Sequence, residues 1–281
     1  MLAWQPAAIT AGGLASVALP ARLYVARRWS AHASRWLGIL AGLAWETALL
    51  FGLYALWQLA GSFTSATPGQ ALPRGRSLWH LERVLRLPSE TAVQHVALPH
   101  PLLVQASDLY YDILHFPVLI AVLIWLYFWH RERYGSLRTT LVLVTGASLV
   151  IQLLLPVAPP RLIGGTGLVD TALLYHQSVY GSLGLDAAQF SAMPSVHVAW
   201  AVIVAAAIIT VTRGRWRWLA VGYPVLTTLV VAVTANHYWL DGAVALGLVL
   251  LVLAIQALGR RLRTPPVPAV PEVAVSEPAR R

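Results

Sequence analysis

Six stretches of the sequence are apolar over about the length that a helix needs to cross a bilayer. A spanning helix takes about 20 mostly apolar residues, and runs of this length indicate helices rather than strands. The stretches are residues 36–59, 109–129, 139–156, 196–211, 218–234 and 238–258. The sequence therefore predicts an all-α fold, a polytopic membrane helix bundle with six core transmembrane helices.

The composition agrees with a chain that is solvated largely by lipid. Hydrophobic residues make up 58% and charged residues 11% of the chain, whereas a soluble domain carries about 25% charged residues. The net charge of +9 also suits nucleic acid, but arginines in the short loops of a membrane protein set its topology and face anionic head groups. We therefore expect membrane lipids as partners and no nucleic acid. The absence of cysteine excludes disulfides and thiolate metal sites.

The sequence divides into three parts. Residues 1–35 form an N-terminal segment whose apolar stretch, 7–25, contains Pro20 and Arg22, and this stretch is either an extra helix or an interfacial segment. Residues 36–258 hold the predicted transmembrane helices. Residues 259–281, rich in Pro and Val, are predicted to be a disordered cytoplasmic tail. Residues 78–87 have apolar positions at helical spacing with arginines between them, which predicts a helix on the membrane surface.

The arginines predict how the bundle is oriented. If the six helices alternate in direction, 14 arginines fall on one side and 5 on the other, with Arg22 unassigned. Loops rich in arginine face the cytoplasm, so the side with 14 arginines is predicted to be cytoplasmic. The two long connections, residues 61–108 and 157–192, then face outward.

Two polar segments lie at the outward ends of predicted helices, where ionisable residues are costly and so indicate function. In the first segment, Pro159 and Pro160 fix the backbone before Arg161, whose guanidinium then suits a bidentate grip on phosphate or carboxylate. In the second, Ser195 is a natural N-cap and His197 lies in the first helical turn, where free amides favour an anion. Alone, each also has a structural interpretation, as an interfacial anchor and as a capped helix end.

The third polar segment has His237 and Asp241 four residues apart, hence on one face of a helix. A carboxylate there can hold one imidazole nitrogen and leave the other as a nucleophile or base. The alternatives are a structural pair, an acyl-transfer site and a metal site, but a catalytic zinc takes three protein ligands and only two are clustered here, so we predict no metal. Since the alternating topology brings all three segments to the outward face, we interpret them as one active site.

Four further residues are candidates for contact or support. Asp112 and His115, at the outer start of a helix, either line the site and bind a head group or are a helix-start carboxylate and an interfacial histidine. Asp170, in the second long connection, either contacts an acceptor or is solvated. Glu46 lies deep in the first helix, where we expect it to pair with a tyrosine or an arginine inside the bundle.

At these segments the sequence resembles the type 2 phosphatidic acid phosphatase superfamily, and within it the branch that includes inositol phosphorylceramide synthases. The likeness covers about residues 36–258 and is carried by Pro-Pro-Arg at 159–161, Met-Pro-Ser-Val-His at 193–197, Asn-His-Tyr-Trp-Leu-Asp at 236–241 and the segment 108–117. It implies that His237 attacks phosphorus, that Asp241 orients and charge-stabilises it, and that His197 protonates the leaving oxygen. It further implies that Arg161 and Ser195 hold the phosphoryl oxygens, and that no metal or cofactor is needed.

Two departures from the wider family pattern concern the charge of the substrate. Leu154 stands where the pattern has a lysine before Arg161, and Val231 stands where it has an arginine before His237. A site without these cations suits a phosphodiester, with one negative charge, better than a monoester with nearly two, unless other residues replace them.

The sequence thus predicts a membrane-embedded lipid phosphoesterase or phosphotransferase. It would act on a lipid-linked phosphate through a phospho-histidine, at the extracytoplasmic face of a bacterial plasma membrane. The first alternative is a head-group transferase that moves an inositol phosphate or a sugar phosphate from a phosphodiester donor. The second is a non-catalytic transporter or assembly factor that keeps the polar face as a binding site.

Overall fold

Helices form most of the chain. The computed structural model describes residues 4–27, 32–63, 68–177 and 189–263. The helices are α1 (Trp4–Arg27), α2 (His32–Phe63), α3 (Pro68–Val84), α4 (Glu90–Ala97), α5 (Pro101–Leu109), α6 (His115–Trp129), α7 (Arg131–Leu154), α8 (Thr171–Leu174), α9 (Val196–Val211), α10 (Gly222–Val233) and α11 (Trp239–Arg263). In the described ranges the extended structure is an isolated bridge between Val157 and Ser191, so the all-α prediction is confirmed.

Five helical segments of the described chain are long and apolar enough to cross a membrane. α9 is apolar but has 16 residues, or about 24 Å, against a hydrocarbon core of about 30 Å. The polytopic membrane bundle is therefore confirmed, whereas the count of six spanning helices stays a prediction. The five segments are Trp36–Leu56, Pro101–Trp129, Arg131–Leu154, Arg215–Val233 and Trp239–Leu262.

The N-terminal stretch and the tail were less defined in the sequence. Residues 7–25 lie in α1, which is helical through Pro20 and packs along α2. α1 is not among the helices that meet the length and apolarity of a membrane span, so the choice between a spanning and an interfacial segment stays open. α11 continues to Arg263, and the tail predicted to be disordered lies, from residue 264 on, outside the described residues.

Two predicted helices begin before the apolar stretches that indicated them. α7 begins at Arg131 rather than at Thr139, and α5 with a π-helical turn, Tyr110–Leu114, precedes α6 without a break. The polar start of α7 is helical because it is paired inside the bundle. Tyr134 and Arg138 bond the two oxygens of Glu46 at 2.9 and 2.5 Å, which confirms the predicted pairing of that glutamate.

α9 is the central helix of the bundle. It packs against α6, α7, α10 and α11, and small side chains on it, such as Ala199, Ala201 and Ala205, are buried. Small residues let membrane helices approach closely. The close packing fixes the first turn of α9, which carries His197, relative to the start of α11, which follows His237.

The helix that contains most of residues 78–87 packs on the bundle through one side, and its predicted place on the membrane surface stays a prediction. α3 packs against the 3₁₀ turn Pro160–Leu162 and against α11, and it buries Gly75 and the whole of Glu82. The amphipathic spacing was correct for a helix, but its inner side faces the polar end of the bundle. α3 therefore forms part of the support of the three polar segments.

We predict that replacing Gly75 with alanine lowers stability, because α3 approaches the backbone of the first polar segment there. A Cβ at Gly75 would lie 2.7 Å from the Ala158 carbonyl and 3.0 Å from the Tyr238 hydroxyl. Thermal unfolding in detergent should show a loss of about 1–3 kcal/mol. The matched control is Gly146→Ala in α7, where a Cβ meets nothing within 4 Å. Equal behaviour of the two variants would contradict the close packing of α3.

Candidate active site

Backbone hydrogen bonds join the three polar segments at one end of the bundle. The Arg161 N–H donates to the carbonyl of Ala235 at 3.0 Å, and the Ser195 N–H donates to the carbonyl of Asp241 at 3.3 Å. His237 reaches the carbonyl of Ala192. The first segment is thus bound to the third, and the second is bound to the third twice, so the positions that the sequence predicted to converge do so.

His237 is held through one ring nitrogen. Its side chain is almost fully buried, and Nδ1 lies 2.7 Å from the Ala192 carbonyl and 3.3 Å from Asp241 Oδ2. A carbonyl oxygen only accepts, so Nδ1 carries a hydrogen, and in the neutral imidazole Nε2 then keeps its lone pair. Nε2 lies 3.4 Å from the hydroxyl of Tyr111. The arrangement therefore leaves a basic, nucleophilic nitrogen pointing at a tyrosine hydroxyl.

Asp241 has a structural task as well as its contact with His237. It is fully buried, and the oxygen that faces His237 also accepts the N–H of Tyr238 at 2.9 Å. A carboxylate in the first turn of a helix that accepts a preceding backbone N–H stabilises the helix start. Asp241 thus fixes the first turn of α11 while it faces the imidazole.

His197 lies across from His237 and is enclosed by aromatic rings. The two imidazole centroids are 6.1 Å apart, which is close enough for one phosphoryl group to touch both rings. Tyr111 stacks on His197 with a centroid distance of 4.1 Å, and His115 lies 5.1 Å away. Ser195 is fully buried and caps α9 by accepting the N–H of Val198 at 3.4 Å, which confirms its predicted N-cap role.

The π-helical turn places the aromatic residues of this group. Tyr111 lies in that turn and His115 directly after it, and π turns inside helices are frequent at functional sites. His115 is fully buried, and its Nδ1 lies 2.9 Å from the Tyr223 hydroxyl. His115 therefore lies behind His197, and its predicted contact with a head group stays a prediction.

Asp170 and Asn236 hold the side chain of Arg161. Its Nε donates to Asp170 Oδ2 at 3.0 Å, and its Nη1 donates to the side-chain oxygen of Asn236. Asp170 also caps the short helix α8 by accepting the N–H of Leu173 at 3.0 Å. The structure thus gives Asp170 a definite partner, Arg161, rather than the solvated position that was its alternative. Its predicted contact with an acceptor stays untested.

Two more aspartates lie near Arg161. Asp108 is buried and accepts the hydroxyl of Thr171 at 2.8 Å, and Asp112 is half-buried. Both interact electrostatically with Arg161 and with Asp170. The single arginine of the first segment is therefore surrounded by acidic groups, which reduces the net positive charge that a ligand would meet.

The family model for the PAP2 superfamily matches residues 76–255. The chain belongs to the PAP2 superfamily. No curated protein and no solved structure matches the chain. The PAP2 match begins in α3 and ends in α11, so it contains all three polar segments and leaves out α1 and α2. The narrower likeness to inositol phosphorylceramide synthases stays a resemblance.

Leu154 and Val231, the two departures from the PAP2 pattern, lie in different environments. Leu154, at the C-terminal end of α7, is 71% exposed, whereas Val231 in α10 is 3% exposed and packs in the apolar core. An apolar side chain thus takes each position where the wider pattern has a cation. Within the described residues, no group of three or more His, Asp or Glu side chains is arranged to hold a metal ion, and the prediction of a metal-free site is not tested by this.

Sequence reasoning did not select some of the groups that contact the predicted site residues. Tyr111 contacts both histidines, and Asn236 holds Arg161, yet neither was selected as a functional residue. Asn236 precedes His237 in the third segment, so its place in the segment was an available signal. No sequence signal could have identified the Ala192 carbonyl, because every residue has a backbone carbonyl.

We predict that Asp170→Ala destabilises the fold and Asp112→Ala does not. The Arg161 and Asp170 side chains are 4% and 24% exposed, and removing one partner of a largely buried pair costs about 3 kcal/mol. Asp112 makes no hydrogen bond or ion pair among the described residues, so its loss should change stability by less than about 1 kcal/mol. The measurement is thermal unfolding in detergent. Similar losses in both variants would contradict the pairing of Arg161 with Asp170.

Proposed function

We propose that this protein is a membrane-embedded lipid phosphoesterase or phosphotransferase in which His237 is the nucleophile. Membership of the PAP2 superfamily supports phosphatase or phosphotransferase chemistry. The observation that carries the proposal is the hydrogen bond of His237 Nδ1 to the Ala192 carbonyl, 2.7 Å long. It supports a fixed tautomer with Nε2 available for attack, opposite the second histidine.

In the first step, His237 Nε2 attacks the phosphorus of the lipid phosphate. The N–P bond forms, the bond from phosphorus to the lipid oxygen breaks, and His197 gives a proton to the leaving oxygen. In the second step, water or an alcohol attacks the phospho-histidine, gives its proton to His197, and the N–P bond breaks. Arg161 and Ser195, with the amides at the start of α9, stabilise the charge on the equatorial oxygens. The Tyr111 hydroxyl, 3.4 Å from Nε2, donates to the phosphoryl group in place of that nitrogen.

The surface beside the site supports a lipid substrate. The run of α5, the π turn and α6 has Asp108 and His115 buried toward the site, whereas Leu109 and Ile113 are exposed on its outer side. In a membrane this outer side meets acyl chains. A lipid can therefore lie along this helix with its tails in the bilayer and its phosphate near the histidines.

A phosphodiester is the favoured substrate, and this makes a head-group transferase the second candidate. Two observations favour it. Leu154 and Val231 are apolar residues at positions where the wider PAP2 pattern has a lysine and an arginine. In addition, Arg161 is already paired with Asp170. A phosphate monoester carries nearly two negative charges and a diester carries one. A site whose arginine is already partly neutralised binds the diester with less uncompensated charge.

We predict that His237→Ala abolishes turnover of lipid phosphates. Purified protein is given phosphatidic acid, a monoester, or phosphatidylinositol, a diester, and released diacylglycerol is measured. His237→Ala should lose about 10³-fold or more and His197→Ala about 10²-fold or more. Phosphatidylinositol should be the faster substrate of the wild-type protein.

The matched control is His95→Ala, which changes an exposed histidine of α4 and should keep the wild-type rate. Unchanged turnover in His237→Ala would mean that the protein does not use this nucleophile, whereas no turnover by the wild-type protein would favour a non-catalytic transporter or assembly factor. Turnover of phosphatidic acid alone would contradict the preference for a diester.

We also predict that the site faces away from the cytoplasm, as the arginine distribution indicates. The chain has no cysteine, so single cysteines report topology directly. Gly164→Cys, at an exposed position where a Cβ meets nothing within 4 Å, should react with a membrane-impermeant maleimide in intact cells. Glu132→Cys, exposed at the opposite end in α7, should react only after permeabilisation. The reverse pattern would invert the orientation.

A further inference from the structure

Two glutamates outside the three polar segments are buried together behind the start of α11. Glu82, near the end of α3, and Glu90, at the start of α4, are both 0% exposed. Arg83 Nη2 donates to Glu90 Oε2 at 2.7 Å and lies 4.0 Å from Glu82 Oε2. Two buried carboxyl groups thus share one guanidinium. Ionising both would leave an unpaired charge inside the protein, which is strongly unfavourable.

This pair is attached to the helix that carries Asp241. Glu82 Oε1 accepts the backbone N–H of Leu240 at 2.8 Å, and Leu240 directly precedes Asp241. Next to it, the indole N–H of Trp239 donates to the carbonyl of Pro88, between α3 and α4, at 2.8 Å. The junction of α3 and α4 therefore holds the first turn of α11 through two hydrogen bonds.

The hydrogen-bond partners of the pair are complete only if it carries a proton. Glu82 Oε2 and Glu90 Oε1 are buried and have no donor among the described residues, while the two carboxyl groups are within hydrogen-bonding reach of each other. A proton on Glu82 Oε2 gives that oxygen a hydrogen bond to Glu90, leaves one negative charge on Glu90 against Arg83, and keeps Oε1 free to accept from Leu240.

Charge around Glu82 agrees with this placement of the proton. Burial, followed by the hydrogen bond and negative charge of Glu90, raises the pKa of Glu82 from 4.5 to about 9. Asp241 acts in the same direction, and the N–H of Leu240 acts against it. The other groups that face Glu82 are Arg83 and Tyr238. At neutral pH the trio of Glu82, Glu90 and Arg83 then carries no net charge.

We propose that Glu82 and Glu90 share one proton, and that the neutral Glu82 carboxyl positions the first turn of α11 for the reaction of His237. This role rests on the proposed function. The pair acts through Leu240 on Asp241, so Glu82 is a positioning residue and not a catalytic one. Its neutrality also leaves Asp241 as the carboxylate that acts on the imidazole, because an ionised Glu82 would add a second negative charge beside Asp241.

Glu82→Gln and Glu82→Ala separate the hydrogen bonds from the charge. The amide of Glu82→Gln accepts from Leu240, donates to Glu90 and cannot ionise, whereas Glu82→Ala loses both bonds. With phosphatidylinositol and phosphatidic acid as substrates at pH 7, Glu82→Ala should lower kcat about 10-fold or more with KM within about 3-fold, since small displacements of reacting groups cost rate rather than binding. Glu82→Gln should restore kcat to within about 3-fold of wild type, and Glu132→Gln, at an exposed distant glutamate, is the matched control.

Thermal unfolding in detergent from pH 6 to pH 10 tests the shared proton without any turnover. Because the pKa of Glu82 is higher in the folded than in the unfolded chain, its stabilising effect is full below pH 4.5 and is lost as the pH rises through about 9. The midpoint of thermal unfolding of the wild-type protein should therefore fall across this pH range relative to that of Glu82→Gln.

Parallel curves of midpoint against pH would overturn the shared proton. A Glu82→Gln variant as slow as Glu82→Ala, or a Glu82→Ala variant with wild-type kcat, would overturn the positioning role. If wild type turns over neither lipid, the proposed function and the positioning role both fail, while the pH curves still decide the shared proton.

Discussion

The hydrogen bond between His237 and the carbonyl of Ala192 is the contact on which the arrangement of the site depends. It joins the loop before α9 to the loop before α11, and it sets which nitrogen of the imidazole carries hydrogen. An unpaired donor or acceptor at this buried position would cost about 1–3 kcal/mol. The close packing of α9 against α11 keeps the two loops adjacent. The packing of the bundle therefore keeps the Ala192 carbonyl beside His237, and this contact in turn sets the tautomer of the histidine.

Buried polar groups around His237 are supported by side chains from helices other than α11. Arg161 is held by Asp170 at the start of α8, and Leu240 is held by Glu82 of α3. Fixed donors and acceptors of this kind need little reorganisation when charge moves in a reaction. The outer layer formed by α3, α4 and α8 therefore has a physical role, which is to keep the polar end of the bundle in one geometry.

The sequence predicted the parts of this arrangement that depend on residue type and on helix alternation. Arg161, His197, His237 and Asp241 stood out because each is an ionisable residue at the edge of an apolar stretch, and alternating helices bring such edges to the same side. The pairing of Glu46 followed from the same reasoning and is confirmed by Tyr134 and Arg138. The functional roles of the four site residues stay predictions.

Features that depend on local deviations from regular structure could not be predicted. The position of Tyr111 follows from a π-helical turn, which changes the residues that share a helix face, whereas sequence periodicity assumes 3.6 residues per turn. The burial of Glu82 could not be predicted either, because it depends on contacts with Glu90 in the next helix and with Leu240, which is 158 residues further along the chain. The choice of Arg161 as the partner of Asp170 likewise depends on how a long loop folds back.

Trapping the covalent intermediate tests the central claim most directly. The purified protein is mixed with phosphatidic acid or phosphatidylinositol, quenched with alkali within the first turnover, digested and mapped by mass spectrometry. The account predicts a phosphoryl or head-group phosphoryl adduct on His237 that survives alkali and is lost in acid. Turnover of either lipid with no adduct on His237, or with the adduct on another residue, would contradict it.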